Sequence, residues 1–200
     1  MFVIGITGSL GSGKTTVANM FRRKGAKILD ADKIAHGFLV PGTLCFKQIV
    51  KCFGSAILAK GHIDRARLAK IVFDNENQLK KLCRIVHPEV IKRIKAQVRI
   101  FRAKKNKYSL ILDAPLLFEA GLDTICDYVI VVRAGQKVQI ARIQKRSHWT
   151  QSEILKRMKA QMPMNKKVAR ANFVIDNQGN INQTRKGVEA LWQELKKTRK

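Results

Sequence analysis

The sequence predicts an α/β protein: a five-stranded parallel sheet flanked by helices, with a helical insert and a helical lid. Short apolar runs rich in β-formers recur along the chain, helical stretches lie between them, and a glycine-rich turn joins the first run to the first helix. Strands buried on both faces read as unbroken apolar runs, and parallel neighbours need helical crossovers.

Phe2 to Thr7 (FVIGIT) is the first expected strand; glycines 8, 11 and 13 follow, and Thr15 to Arg23 has helical character. Lys27 to Leu29 is a second strand that ends at Asp30-Ala31-Asp32, and Tyr108 to Leu112 a third that ends at Asp113. The fourth and fifth are Tyr128 to Val132 and Phe173 to Ile175. Almost eighty residues separate the second and third strands, far more than one crossover needs. Within them Leu79, Leu82 and Val86 recur at helical spacing up to an expected break at Pro88, and Ile91, Ile94, Val98 and Phe101 beyond it. A second excursion from Gln136 to Asn165 contains Thr150 and Glu153, spaced as a capping box for a helix to about Ala160. The last helix carries Val188, Leu191, Trp192 and Leu195 on one face and ends in a basic run, Lys196 to Lys200. The organisation expected is therefore a core of 1–32, 106–135 and 166–200, an acceptor-substrate insert at 33–105, and a lid at 136–165.

Composition narrows the class. With 46% hydrophobic and 27% charged residues the 200-residue chain is a folding, globular sequence and not a disordered one. The longest apolar runs fall short of the ~18 residues of a membrane span, and the N-terminus reads as a strand with no basic stretch before it, so a cytoplasmic address is expected. Four scattered cysteines, at 45, 52, 83 and 126, have no zinc or redox spacing and are expected to be reduced and mostly buried. Forty Lys and Arg against 14 Asp and Glu give a net charge of +26, which calls for acidic partners.

Gly8-Ser9-Leu10-Gly11-Ser12-Gly13-Lys14-Thr15 matches the phosphate-binding pattern G-x-x-x-x-G-K-[ST], after a strand and opening a helix. Glycines let the backbone N–H groups turn inward onto phosphate oxygens, the helix N-terminus adds partial positive charge, and Lys14 reaches the β- and γ-phosphates. Thr15 offers its hydroxyl to Mg²⁺, and Leu10 and Thr16 complete the cradle. Asn165-Lys166-Lys167-Val168 lacks the aspartate of a guanine-reading NKxD motif, which disfavours a GTPase, and the length excludes transporter ATPases and multidomain helicases. A small kinase remains, with an insert for the acceptor and a cationic lid.

Asp30, Asp32 and Asp113 stand at strand ends, where open α/β sheets bind ligands. One should accept the proton of an attacking hydroxyl and another help hold Mg²⁺ through water; Asp32 is the better base. Arg142 and Arg146, at i and i+4, would share a helix face and could clamp a phosphoryl group, or form a solvated cationic face. Arg65 is similarly open, and His87 before Pro88 reads equally as a hydrogen-bonded turn histidine or a ligand group. His36, His62 and His148 give no constellation.

The ordered set of segments resembles the dephospho-coenzyme A kinase family: ITGSLGSGKTTVA from Ile6, LDAD from Leu29, IDRARLAKIVF from Ile63, HP at His87, LDAPLLFE from Leu112, Gln139 with Arg142 and Arg146, and VIDNQG from Val174. The resemblance implies transfer of the ATP γ-phosphoryl group, with Mg²⁺, to the ribose 3′-hydroxyl of dephospho-coenzyme A. It implies that Asp32 accepts the ribose proton, that Arg65 and His87 contact the substrate, and that Pro115, Leu116 and Leu117 line the acceptor side after Asp113. It implies lid roles for Arg142 and Arg146, and an adenine-proximal loop at Asn177 and Gly179. Val138 stands where the family often has Thr, Ser147-His148 replace a commonly acidic pair, and Asn172 replaces the usual Asp, changes expected to remove acidic charge near the lid.

A different small P-loop kinase, and a basic nucleic-acid-binding protein, are the alternatives; two Trp, two Tyr and no aromatic-basic interleaving speak against the second. No specific nucleic acid, no membrane partner and a monomer are expected. The surplus cations should nevertheless give sequence-independent association with RNA or DNA that is micromolar or weaker, ~10⁻⁴–10⁻⁶ M, near physiological salt, and weakens steeply as salt rises. Fluorescence anisotropy across a salt series measures this, and nanomolar preference for one sequence at ~0.15 M salt would contradict it.

Overall fold

In the computed structural model, which describes residues 1–104, 107–147 and 149–198, β1 (Val3–Thr7) leads through the glycine loop into α1 (Lys14–Arg23) and on to β2 (Lys27–Asp30). Then come α2 (Ala31–Gly37), α3 (Leu44–Phe53), β3 (Leu58–Ala59), β4 (His62–Ile63), α4 (Arg65–Asp74) and α5 (Glu76–Ala103). The chain closes with β5 (Leu110–Asp113), β6 (Tyr128–Arg133), α6 (Gln136–Gln144), α7 (Gln151–Lys159), α8 (Met164–Ala169), β7 (Phe173–Asp176) and α9 (Ile181–Lys197). The expected boundary at 105/106, His148 and the last two residues of the basic end lie outside the described residues.

Two compact units result: Met1–Asp30 with Val98–Lys200, and Ala31–Gln97. The first holds a five-stranded parallel sheet in the order β2-β5-β1-β6-β7. All five residues of β1 are buried, as a central strand covered on both faces must be. On one face Ile4, Ile6, Ile111, Ile130, Val132 and Ile175 of the sheet pack with Val17, Ala18 and Phe21 of α1 and Val188, Leu191, Trp192 and Leu195 of α9. Phe21 and Trp192 meet edge to face, ring centroids 5.8 Å apart. The apolar stripe read from α9 is this buried face.

At its N-terminal edge the sheet is stapled by polar residues that stand just before strands. Asp127 Oδ2 accepts the Val3 N–H at 2.7 Å while its own N–H donates to the Val3 carbonyl. Asn172 does the same with Val129, its Oδ1 accepting at 2.8 Å and its N–H donating at 3.0 Å. Ser109 Oγ accepts from Phe2 N–H. Asn172 therefore lies at the end of the sheet opposite the glycine loop, and the expectation that its exchange for Asp removes charge near the lid is corrected.

In the second unit the expected break at Pro88 does not occur: α5 runs through it for 28 residues. Proline removes one helical hydrogen bond and crowds the preceding turn, but Val86, Val90, Ile94 and Val98 form a buried stripe across it, and that burial outweighs the local loss. The Cys45 thiol, from α3, donates to the Ile85 carbonyl in the turn before the proline. A two-residue hairpin, β3 with β4, turns at Lys60-Gly61 with φ of 50° and 76°; two positive φ angles in a two-residue loop favour this hairpin, which is too short for a periodicity signal. Of the four free cysteines only Cys45 is buried and Cys52 is exposed, so the expectation of mostly buried thiols is corrected. Burial first, then Asp127 and Asp123, pushes the half-buried Cys126 thiol up to about 12.

Asp127 also pairs with Arg102 Nη2 at 2.8 Å. Asp127→Ala is expected to lower stability by about 1.5–3 kcal/mol, the range for hydrogen bonds to a charged group, while Asp127→Asn, which keeps an acceptor for Val3, loses less. Urea unfolding with an unchanged slope measures both.

Candidate active site

At the other end of β1 the backbone turns through three glycines with positive φ: Gly8 at 155°, Gly11 at 78° and Gly13 at 89°. A Cβ on Gly8 would lie 2.2 Å from the Val132 carbonyl oxygen and 2.7 Å from Ser12 Oγ, and one on Gly13 would lie 2.1 Å from Asn177 Nδ2. The loop is thus pressed against the ends of β6 and β7. Gly13 is the N-cap of α1 and supplies no capping side chain, and the first turn has no acid, so the N–H groups and partial positive charge there are left for an external anion. Ser12 Oγ is buried and has no hydrogen-bond partner within the protein. An uncapped helix end with an orphaned hydroxyl beside it fits a phosphate chain.

Asn177 clasps the loop from β7: its Nδ2 donates to the Ser12 carbonyl at 2.7 Å, its Oδ1 accepts from Thr184 Oγ1 at 2.8 Å, and its N–H donates to the Arg133 carbonyl at 2.8 Å. Arg142 Nη2 donates to the Asn177 carbonyl at 2.7 Å, with Nη1 3.5 Å from the Ser12 carbonyl. Buried Gln139 donates from Nε2 to Ser9 Oγ at 2.8 Å and to the Ala134 carbonyl at 3.0 Å. Residues 139, 142 and 177 thus converge on the phosphate loop. Arg146 is exposed two residues beyond the end of α6 at Gln144, in a turn that keeps helical hydrogen bonds from the Lys145 N–H to the Ala141 carbonyl at 3.2 Å and from the Ser147 N–H to the Ile143 carbonyl at 2.9 Å. Ser147 Oγ folds back onto the Ile143 carbonyl at 2.9 Å and closes that turn. Gly179 precedes the Asn180–Gln183 capping box of α9, and a Cβ there would lie 2.0 Å from Gln183 Oε1, so glycine makes room for the cap.

Asp30 and Asp113 are the last residues of their strands, side by side in register, with Asp113 opposite Ile6 of β1. Buried Asp113 has its Oδ2 3.5 Å from Thr15 Oγ1, the pair that could hold a divalent cation together with phosphate oxygens. No group of three or more His, Cys, Asp or Glu gathers as a metal site among the described residues. After β5 the Pro115 carbonyl accepts from Thr7 Oγ1 at 3.1 Å and from Lys167 Nζ at 2.7 Å, while Leu116 is half-buried. Leu117 is fully buried beneath Gly5, where a Cβ would lie 2.7 Å from Leu117 Cδ2. Its side chain packs the sheet instead of lining an acceptor surface, which corrects that expectation.

In the second unit Asp32 is exposed in the first turn of α2, which begins directly after β2. Arg65 opens α4 behind the Asp64 cap, and its Nη1 lies 2.9 and 3.1 Å from the His36 ring nitrogens. His87 is half-buried within α5. Gln161 and Lys167 escaped the sequence reading: Gln161 Oε1 accepts the Leu10 N–H at 2.9 Å, and Lys167 pairs with Glu119 at 2.9 Å, 48 residues away, where no local pattern links them.

A family model described as dephospho-CoA kinase matches residues 2–183 of this chain. A dephospho-CoA kinase of Carboxydothermus hydrogenoformans is 40% identical over 195 residues, covering 97% of this chain and 94% of its own length. The solved dephospho-CoA kinase from Campylobacter jejuni superposes with a TM-score of 0.72 at 28% identity over 99% of this chain and 98% of that one. A shikimate kinase from Acinetobacter baumannii, at TM-score 0.54 and 15% identity over 99% of this chain and 94% of its own, shares the fold.

Gly13 tests the cradle. Gly13→Ala forces a side chain into the left-handed region, at ~1–2 kcal/mol, and drives it into Asn177, so nucleotide affinity should fall about tenfold or more. Titration with ATP, on a variant whose circular dichroism is unchanged, measures the loss.

Proposed function

The chain belongs to the dephospho-CoA kinase family, and from that membership we infer that it transfers the γ-phosphoryl group of ATP to the ribose 3′-hydroxyl of dephospho-coenzyme A. The products are coenzyme A and ADP, in the cytoplasm, from a monomer. The observation that supports this reading best is the open anion cradle at the N-terminus of α1, in a chain matched by the family over residues 2–183.

The loop Gly8 to Thr16 holds the triphosphate. Its backbone N–H groups and Lys14 bear on phosphate oxygens, and because the glycines already hold the loop in the required shape, little reorganisation accompanies binding. The side chains of Asn177, Gln139 and Arg142 fix that shape through the Ser12 carbonyl and Ser9, so Arg142 acts on the phosphates partly through the loop. Thr15, with Asp113 nearby, would hold Mg²⁺, which would supply neutralisation of the phosphate charge. Asp32, carried on the turn that leaves β2, takes the proton of the attacking hydroxyl. Arg65 and His87 hold the acceptor, with Pro115 and Leu116 on the side that follows Asp113. Arg146, exposed beyond α6, is available to the transferring group when the lid closes. Asn177 and Gly179 shape the loop beside the adenine.

Coupled ADP release across several acceptors tests the reaction: dephospho-coenzyme A should be phosphorylated with ATP and Mg²⁺ while adenylates are poor, and equal turnover of a nucleoside monophosphate overturns the acceptor. In the same assay Asp32→Asn should lower kcat by about 10²-fold or more with ATP binding intact. Near-normal kcat would move the proton acceptor to Asp113.

A further inference from the structure

Lys167 is fully buried in a chain whose other cations are overwhelmingly at the surface. Its Nζ donates to the Pro115 carbonyl at 2.7 Å and pairs with Glu119 Oε1 at 2.9 Å and Oε2 at 3.3 Å. Glu119 Oε1 also accepts the Met162 N–H at 2.8 Å. One residue earlier, Gln161 Oε1 accepts the Leu10 N–H of the phosphate loop at 2.9 Å. Between them Pro163, with φ fixed near −53°, starts α8, and the Lys167 N–H donates to its carbonyl at 3.1 Å. Seven consecutive residues thus grip the phosphate loop with one end and the segment after β5 with the other. The same Pro115 carbonyl receives the Thr7 hydroxyl from the residue before the phosphate loop, a second tie between the two loops.

We propose that residues 161–167 are a strap that couples the nucleotide loop to the acceptor-side loop at 114–119, with Gln161 and Lys167 as positioning residues for the transfer. A fully buried ammonium is unfavourable unless its donors are met, and here a carbonyl and a carboxylate of one short loop meet them. Lys167 therefore fixes where that loop stands relative to α8. Burial pushes the Lys167 ammonium below the ordinary lysine range, and Glu119 pulls it back. Gln161 carries the constraint on to Leu10, an N–H inside the phosphate-binding loop, so that ordering of the loop by nucleotide is transmitted through a short, proline-stiffened segment. The two substrates would then be set in register by the protein before the acceptor arrives, which is where orientation contributes most to transfer. The acceptor half of this inference rests on the kinase reading; the mechanical half does not.

Two measurements separate these. Hydrogen exchange of residues 114–120 is followed with and without a non-hydrolysable ATP analogue, which needs no acceptor. In the wild type the analogue should slow exchange there several-fold, and in Gln161→Ala, which cuts only the Leu10 tie at a half-buried position, that slowing should be lost although the analogue still binds. Steady-state kinetics should show Gln161→Ala raising the KM for dephospho-coenzyme A at least threefold, a change in acceptor handling from a residue that touches the nucleotide loop. Lys167→Met should show both losses, and Glu119→Gln, which keeps one acceptor oxygen but loses the second and the charge, should show smaller ones. Unchanged analogue-dependent protection in Gln161→Ala overturns the strap. Lost protection together with no turnover of dephospho-coenzyme A by the wild type leaves the strap standing and overturns the substrate.

Discussion

The Ser12 carbonyl is the point on which the active end of this molecule is built. Asn177 reaches it at 2.7 Å from the end of β7, and the approach is so close that only glycine fits at the next residue. For that bond to form, β1 must be central, β6 must lie beside it and β7 beside β6, which is the strand order observed. Thr184 in α9 then holds the far oxygen of the Asn177 amide, so the helix that closes the apolar core also fixes the side chain that closes the loop. Packing and site are joined through one amide group.

The two ends of the sheet are specialised in opposite ways. At the N-terminal edge Ser109, Asp127 and Asn172 spend their polar atoms on backbone N–H groups of neighbouring strands, which satisfies donors that would otherwise end in mid-air. At the C-terminal edge the donors at the start of α1 are left uncapped, and Asp30 and Asp113 stand in register beside them. Stability is secured at one end and binding capacity kept at the other. Asn172 illustrates the division: its amide oxygen accepts from the Val129 N–H and its own N–H donates to the Val129 carbonyl, at the end of the sheet away from the glycine loop.

Much of this was legible in the sequence because it is local. Continuous apolar runs located every strand of the main sheet, the glycine spacing located the phosphate loop, Thr150 and Glu153 announced their capping box, and the stripe on α9 proved to be its buried face. What escaped was non-local or outweighed. Pro88 is a helix breaker by its own chemistry and was overruled by the buried stripe that crosses it. Leu117 sat in a motif read as substrate-facing, and the absence of a side chain at Gly5 drew it into the core. Gln161 and Lys167 have partners 151 and 48 residues away, distances over which periodicity carries no information.

The distribution of acids gives the large positive charge a physical meaning. With 14 acidic residues against 40 basic ones, the few carboxylates are concentrated where a specific donor awaits them. Asp64 and Glu153 cap helices, Asp127 staples strands, Glu119 meets a buried lysine, and Asp113 stands at the site. Few remain to offset the exposed lysines and arginines of α5 and α9, so the molecule's field is positive over a wide area. Exposed ion pairs would have added little stability. A field of one sign instead raises the local concentration and encounter rate of polyanions, and falls away with salt. Both substrates of the proposed reaction carry phosphate groups, so a field of this sign favours their approach to the glycine loop. Selection then rests with the short-range geometry around Ser12, which no amount of surface charge can supply.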